Sequence, residues 1–160
     1  MTVRRPRFED IEELIRMGAR MHAESAYSFL PYDCDKVRRL ILSYLEDAET
    51  RCGLVLEEDG RPVGMLAGYM TDYFFCDEKV ACDYLVFIDR RYRGGTGAAR
   101  LIHGFRRWAE ARGARELCLG ISTGVDSVAI GRFYEKLGFR RVGGVFKLRL
   151  GGIEARESPI

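Results

Sequence analysis

Apolar residues at positions 8, 11, 14, 15 and 18 recur at helical spacing and predict an amphipathic helix from Phe8, ending near Gly18 or continuing to Ala23. Residues 24–33 read as an aromatic loop, and a second helix is expected from about Asp35 to Asp47, with Val37, Leu40, Ile41 and Leu45 on one face. Two apolar runs between Leu54 and Leu66 flank Asp59-Gly60, a strong hairpin turn signal, and the second run extends toward Phe75. Val80–Ile88 forms the next strand, and Thr96–Arg112 a helix stopped by Gly113. Leu117–Ile121 reads as a short buried strand and Val128–Leu137 as a helix ended by Gly138. In Phe139–Leu150, Val145, Lys147 and Arg149 alternate against Phe146, Leu148 and Leu150, which predicts a last strand. With a short first strand at Thr2–Arg5, the order is β-α-α-β-β-β-α-β-α-β. This is a mixed α/β sandwich in which strands and helices alternate only in the second half.

Composition narrows the picture without naming a chemistry. No linker, repeat or low-complexity tract divides the 160 residues, so residues 1–160 are expected to form one domain. No apolar run approaches a membrane span, and the N-terminus lacks the apolar core of a signal peptide, so no membrane partner and a cytoplasmic location are expected. Five cysteines at scattered spacings fit reduced, mostly buried thiols better than disulfides or a metal site. A net charge of +2 counts against a polyanion binder, and so against nucleic acid as a partner.

Charge matters locally. The strand ending at Ile88 runs into Asp89-Arg90-Arg91-Tyr92-Arg93-Gly94-Gly95-Thr96-Gly97, and a helical pattern follows at once. A strand turning through glycines into a helix presents free amides and a positive helix end, which suits phosphate. Arg90, Arg91, Arg93, Arg100, Arg106 and Arg107 crowd this loop and helix; phosphate contact and plain solvation of a helix face weigh about equally. A dinucleotide-binding fold is disfavoured because no G-x-G-x-x-G and no run of βαβ units precedes the loop, and a Walker loop is excluded by the missing Gly-Lys-Ser/Thr.

Two motifs give the order a family resemblance. Ile88-Asp89-Arg90-Arg91-Tyr92-Arg93-Gly94 resembles the strand exit V-D-P-x-Y-R-G of the GNAT acetyltransferases, and Phe133-Tyr134-Glu135-Lys136-Leu137-Gly138-Phe139 is similar to their Y-E-K-L-G-F ending. The resemblance covers most of the chain, with its specific motifs inside residues 84–139. It implies a GNAT-type, mostly antiparallel sheet flanked by helices, and an enzyme that moves an acetyl group from acetyl-CoA to a primary amine of a small molecule or peptide. The transfer it implies is direct, within a ternary complex, and without a metal. The family's pyrophosphate loop, Gln/Arg-x-x-Gly-x-Gly/Ala, falls on Arg93, Thr96 and Ala98, so threonine stands where its first glycine is usual. Backbone donors from Gly94, Gly95, Thr96, Gly97 and Ala98 are nevertheless expected to cradle the pyrophosphate.

The resemblance assigns further roles. It places the leaving-group acid at Tyr134, whose phenol holds its proton at neutral pH. Phe87 and Ile88 would pair through their backbones with the pantetheine amides. Gly131 would let the cofactor pass near the last helix, and Ser127 stands where many members carry an asparagine that meets pantetheine. Ser127 also reads as the N-cap of that helix, the role preferred here. Alternation puts Asp83 on one strand face with Leu85 and Phe87, opposite Tyr84 and Val86, and Asp83, Tyr84 and Asp72 are read as structural or solvent-facing. No general base is therefore named. Aromatic residues of Met21–Asp33 and Met70–Lys79 could wall an acceptor pocket or form a homodimer contact. Two other readings of the same fold remain: a non-catalytic acyl-CoA-binding module, and a nucleic-acid or protein interaction domain using the arginine-rich helix.

Overall fold

A computed structural model describes residues 1–150 of the chain. Five strands form one sheet in chain order: β1 (Thr2–Arg4), β2 (Arg51–Glu58), β3 (Arg61–Tyr73), β4 (Cys76–Ile88) and β5 (Ala114–Cys118). The first three ladders are antiparallel, and β4 pairs with β5 in parallel. Asp59 (φ 49°) and Gly60 (φ 76°) turn the β2–β3 hairpin, both with the positive φ that a tight two-residue hairpin loop requires.

The helices are α1 (Ile11–Glu24), α2 (Cys34–Glu46), α3 (Gly97–Ala111) and α4 (Ser127–Lys136). Asp33 caps α2 by accepting the Lys36 amide at 3.0 Å. A parallel β4–β5 pair needs a crossover, and α3 supplies it. Against α3 lies the larger core, with Leu56, Leu66, Ala81, Ile88, Leu101 and Phe105 buried together. Leu14 and Met17 of α1 cover the opposite face, over Val55, Met65 and Phe87. A Cβ on Gly68 would stand 2.4 Å from the Phe105 ring, so that glycine makes room for the largest fully buried side chain.

The expected elements are present with small shifts of boundary, except the last two strands: β5 lies three residues early, at Ala114–Cys118 rather than Leu117–Ile121, and as the edge strand of the described sheet it has no buried residue. Residues 139–150 form no strand, and Val142, Phe146, Leu148 and Leu150 are exposed. Alternation specifies two faces of a segment but not the edge it pairs with. Among the described residues the outer edge of β5 has no strand beside it. The cysteines also depart from expectation: Cys52 is buried, but Cys34, Cys76 and Cys118 are exposed. No helix among the described residues is long and apolar enough to cross a membrane.

Candidate active site

The site begins where β4 and β5 part. Their ladder runs from Lys79↔Ala114 to Cys82↔Cys118 and then ends, while β4 continues to Ile88. Among the described residues, the edge of β4 facing away from β3 has no strand partner from Asp83 onward, so apart from the Ile88 carbonyl, which Arg93 takes, its outward amides and carbonyls are open to another partner. Asp83 stands at the apex of this wedge. Its Oδ1 accepts the Gly120 amide at 2.8 Å, which holds the chain leaving β5 after the ladder has stopped.

A β-bulge decides which way Asp83 faces. Gly68 pairs with Asp83, yet its neighbour Ala67 pairs with Leu85, so Tyr84 is an extra residue in β4. The bulge changes the parity of the strand: Ala81 lies in the α3-side core, whereas Leu85 and Phe87 pack on the α1 side. The simple alternation that grouped Asp83 with Leu85 and Phe87 does not hold. Asp83 opposes Gly68, whose own missing side chain would meet Phe105, and so belongs with the α3 face.

Two cavities meet at this point. One, enclosed by Tyr134, Ile130, Ile121, His22 and Tyr32 among others, lies between α1, α4 and the wedge. The second, of roughly 470 Å3, opens over the sheet beneath α2 and is lined by Tyr44, Arg51, Tyr69 and neighbours. Asp83 and Tyr84 belong to both linings. Burial pushes the Asp83 carboxyl up to about 6, against the opposing pull of the Gly120 amide. Burial first, and the Asp83 charge second, push the Tyr134 phenol up to about 12.

The glycine loop sits at the far end of the wedge. Gly94 adopts φ 85°, a backbone conformation that glycine takes without strain, and both Gly94 and Gly95 face open space. Thr96 precedes α3, and among the described residues no side chain caps the first turn of that helix, which leaves its amides as open donors. Gly97 has a different role: a Cβ there would meet Leu56 at 2.5 Å, so it lets α3 approach β2. The side chain of Arg93 turns inward. It donates to the Ile88 carbonyl at 2.8 Å, pairs with Glu24 at 2.7 Å and lies over the Phe87 ring. Arg90 also pairs with Glu24, Arg106 with Glu110, and Arg100 bonds Thr96 and the Met1 carbonyl. Much of the arginine cluster therefore braces α1, the loop and α3.

Residues 12–139 match the sequence model of the Acetyltransferase (GNAT) family. The chain belongs to the GNAT acetyltransferase family. No curated protein is significantly similar to this GNAT chain. Solved structures share its fold at low identity. A transcriptional regulator from Bacillus halodurans C-125 aligns with a TM-score of 0.76 at 21% identity, covering 93% of this chain and 99% of the other. The Arabidopsis thaliana glucosamine-6-phosphate N-acetyltransferase gives 0.75 at 16%, covering 94% and 98%. AAC(6')-Iy, solved with the bisubstrate analogue CoA-S-monomethyl-acetylneamine, gives 0.74 at 17%, also covering 94% and 98%.

On this GNAT fold the motif residues fall in two places. Phe87, Ile88 and Tyr134 flank the wedge, and Gly94–Ala98 close its far end. Ser127 is the first residue of α4 rather than its cap; Asp126 is the cap, and its side chain accepts the Ala129 amide at 3.4 Å. Gly131 contacts only Ile121 at the distance a Cβ would reach, so α4 is thinly covered there. Asp72 is exposed and paired with Lys79 at 2.9 Å, as a surface residue would be. Three features escaped the sequence reading. Asp83 faces the wedge because of a bulge that alternation cannot reveal. Arg51 and Tyr44 share a cavity although no local pattern joins them. Lys147 bonds the Tyr27 hydroxyl and the Ser122 carbonyl, linking the α1–α2 loop to the chain after β5.

Proposed function

We propose that the protein is an N-acetyltransferase that moves an acetyl group from acetyl-CoA to a primary amine by direct transfer in a ternary complex. The observation that carries this reading is the pair of cavities sharing Asp83 and Tyr84, with Tyr134 on one side. An acceptor entering from one cavity would meet the reactive end of a donor lying in the other.

The free residues fit such a donor. The open edge of β4 from Tyr84 to Ile88, including Phe87 and Ile88, would hold the pantetheine amides, and the amides of Gly94–Ala98 would hold the pyrophosphate. Bound acetyl-CoA supplies an activated thioester. The protein supplies proton control. At pH 7 a carboxyl with a pKa near 6 is mostly ionised, so Asp83 can take the proton from the acceptor's ammonium group. Tyr134 keeps its proton throughout the physiological range and gives it to the departing sulfur. Asp83 thus serves as base and Tyr134 as acid, their environments keeping their protonation states apart.

Calorimetric titration tests the reading, with acetyl-CoA, CoA and NAD as ligands, followed by an amine panel. Micromolar binding of both CoA species without NAD, and release of free CoA in the presence of an amine, is the expected result. Binding without turnover on any amine would favour a non-catalytic acyl-CoA-binding module. No binding at millimolar ligand would overturn the proposal.

A further inference from the structure

Arg51 opens β2 and stands directly opposite Tyr69, which in turn stands opposite Cys82, the residue before Asp83. Strands lie about 4.8 Å apart, so the backbones carrying Arg51 and Asp83 are separated by roughly 10 Å across the floor of one cavity. The Arg51 guanidinium sits 5.4 Å from the centre of the Tyr44 ring, and among the described residues no carboxylate lies within ion-pair distance of it. Asp47 is near enough to feel its charge, but that carboxylate is already used. It accepts the amides of Glu49 and Thr50, at 3.0 and 2.9 Å, and the Thr50 hydroxyl. The cavity thus holds a cation, stacked on Tyr44 and without a carboxylate partner, at one end, and at the other it opens on the wedge where Asp83 stands, with Tyr69 and Tyr84 between them. Asp83 is also the one carboxylate in the lining of either cavity among the described residues.

We infer that the acceptor is a mono-amine carrying an anionic group, a carboxylate or a phosphate, at the end remote from the amine. The anion lies at Arg51, a flat or apolar body rests among the three tyrosines, and the amine reaches the wedge, where Asp83 stands. Guanidinium recognises both kinds of anion through paired N–H donors, and the pocket walls raise the worth of that contact over its worth in open solvent. A polycationic acceptor finds one carboxylate and one repelling guanidinium here. The inference rests on the acetyl-transfer reading and adds the substrate class to it.

Three ligands with one scaffold test it: tyramine, tyramine O-phosphate and 4-(2-aminoethyl)benzoate. Each is titrated calorimetrically into protein saturated with CoA, and each is also assayed as an acceptor. One or both anionic ligands should bind about tenfold to a hundredfold more tightly than tyramine, and which one does so identifies the anion. Arg51→Gln should collapse that preference to within about twofold, and Arg51→Lys should restore part of it. Equal affinity for all three, or a preference that survives Arg51→Gln, overturns the inference while leaving acetyl transfer intact. A loss of affinity equal for all three in Arg51→Gln marks a packing role against Tyr44 and also overturns it. Failure to saturate with CoA would remove the underlying reading and this inference together.

Discussion

Asp83 serves two masters: it holds the Gly120 amide at the wedge, and it is the carboxyl-bearing residue that lines both cavities. Asp83→Asn keeps an oxygen for the amide but removes the proposed base. Turnover should fall by about a hundredfold to ten-thousandfold. In the parent protein kcat/KM should rise with pH through about 6, and that limb should vanish in Asp83→Asn. Stability follows the opposite sign. A carboxyl whose pKa is raised on folding is most favourable when protonated, and that advantage is lost as pH rises through about 6. Asp83→Asn should therefore raise the melting temperature at pH 7.5 and change it little at pH 4, which a pair of thermal scans can check. For Tyr134→Phe, turnover at neutral pH should fall while calorimetric affinity for CoA stays within about twofold. Unchanged turnover would remove the phenol from the mechanism.

At the scale of elements, the site depends on irregularity in β4 and on close approach between β3 and α3. One extra residue, Tyr84, turns Asp83 toward the wedge, and the early end of the β5 ladder opens the edge beyond it. The contact of Gly68 with Phe105 fixes α3 against the sheet behind that wedge. Gly68→Val would drive two methyl groups into a fully buried ring. Overpacking at this site should destabilise the fold by about 1–3 kcal/mol, read as an earlier urea midpoint with little change in slope. Phe105→Ala creates a cavity instead and should cost about 3–5 kcal/mol. The motif at Phe133–Phe139 was legible because its parts are local: α4 ends where Gly138 takes φ 93° and Phe139 bonds back to the Tyr134 carbonyl at 3.1 Å. The strand predicted just beyond it was not, because a strand exists only with a neighbour.

Across the whole molecule, the two cavities are walled by elements distant in sequence: α1 and its following loop, the β2–β3 pair, the wedge and α4. A donor bound along the wedge would tie β4, the loop before α3, and α4 together, so ligand binding should be linked to global stability. With CoA at a hundred times its dissociation constant, the gain is about 2.7 kcal/mol, seen as a rise of several degrees in the melting temperature. NAD should give none. The paired arginines limit the polyanion reading at the same scale. Arg90, Arg93 and Arg106 face carboxylates, which leaves a smaller free positive surface than the composition of the loop and helix implied.

Hydrophobic periodicity, turn chemistry and two local motifs determined the helices, the central hairpin, the glycine loop and the position of Tyr134, because each depends on residues within a few positions of one another. Family membership followed from the same local signals. Only the tertiary structure decided the rest. The β4 bulge, the parting of β4 from β5, the burial of Asp83 and the meeting of Arg51 with Tyr44 depend on packing between segments far apart in the chain. On the proposed reading, a carboxylate becomes a base, and an arginine a receptor for an anion, through the neighbours that folding places beside them.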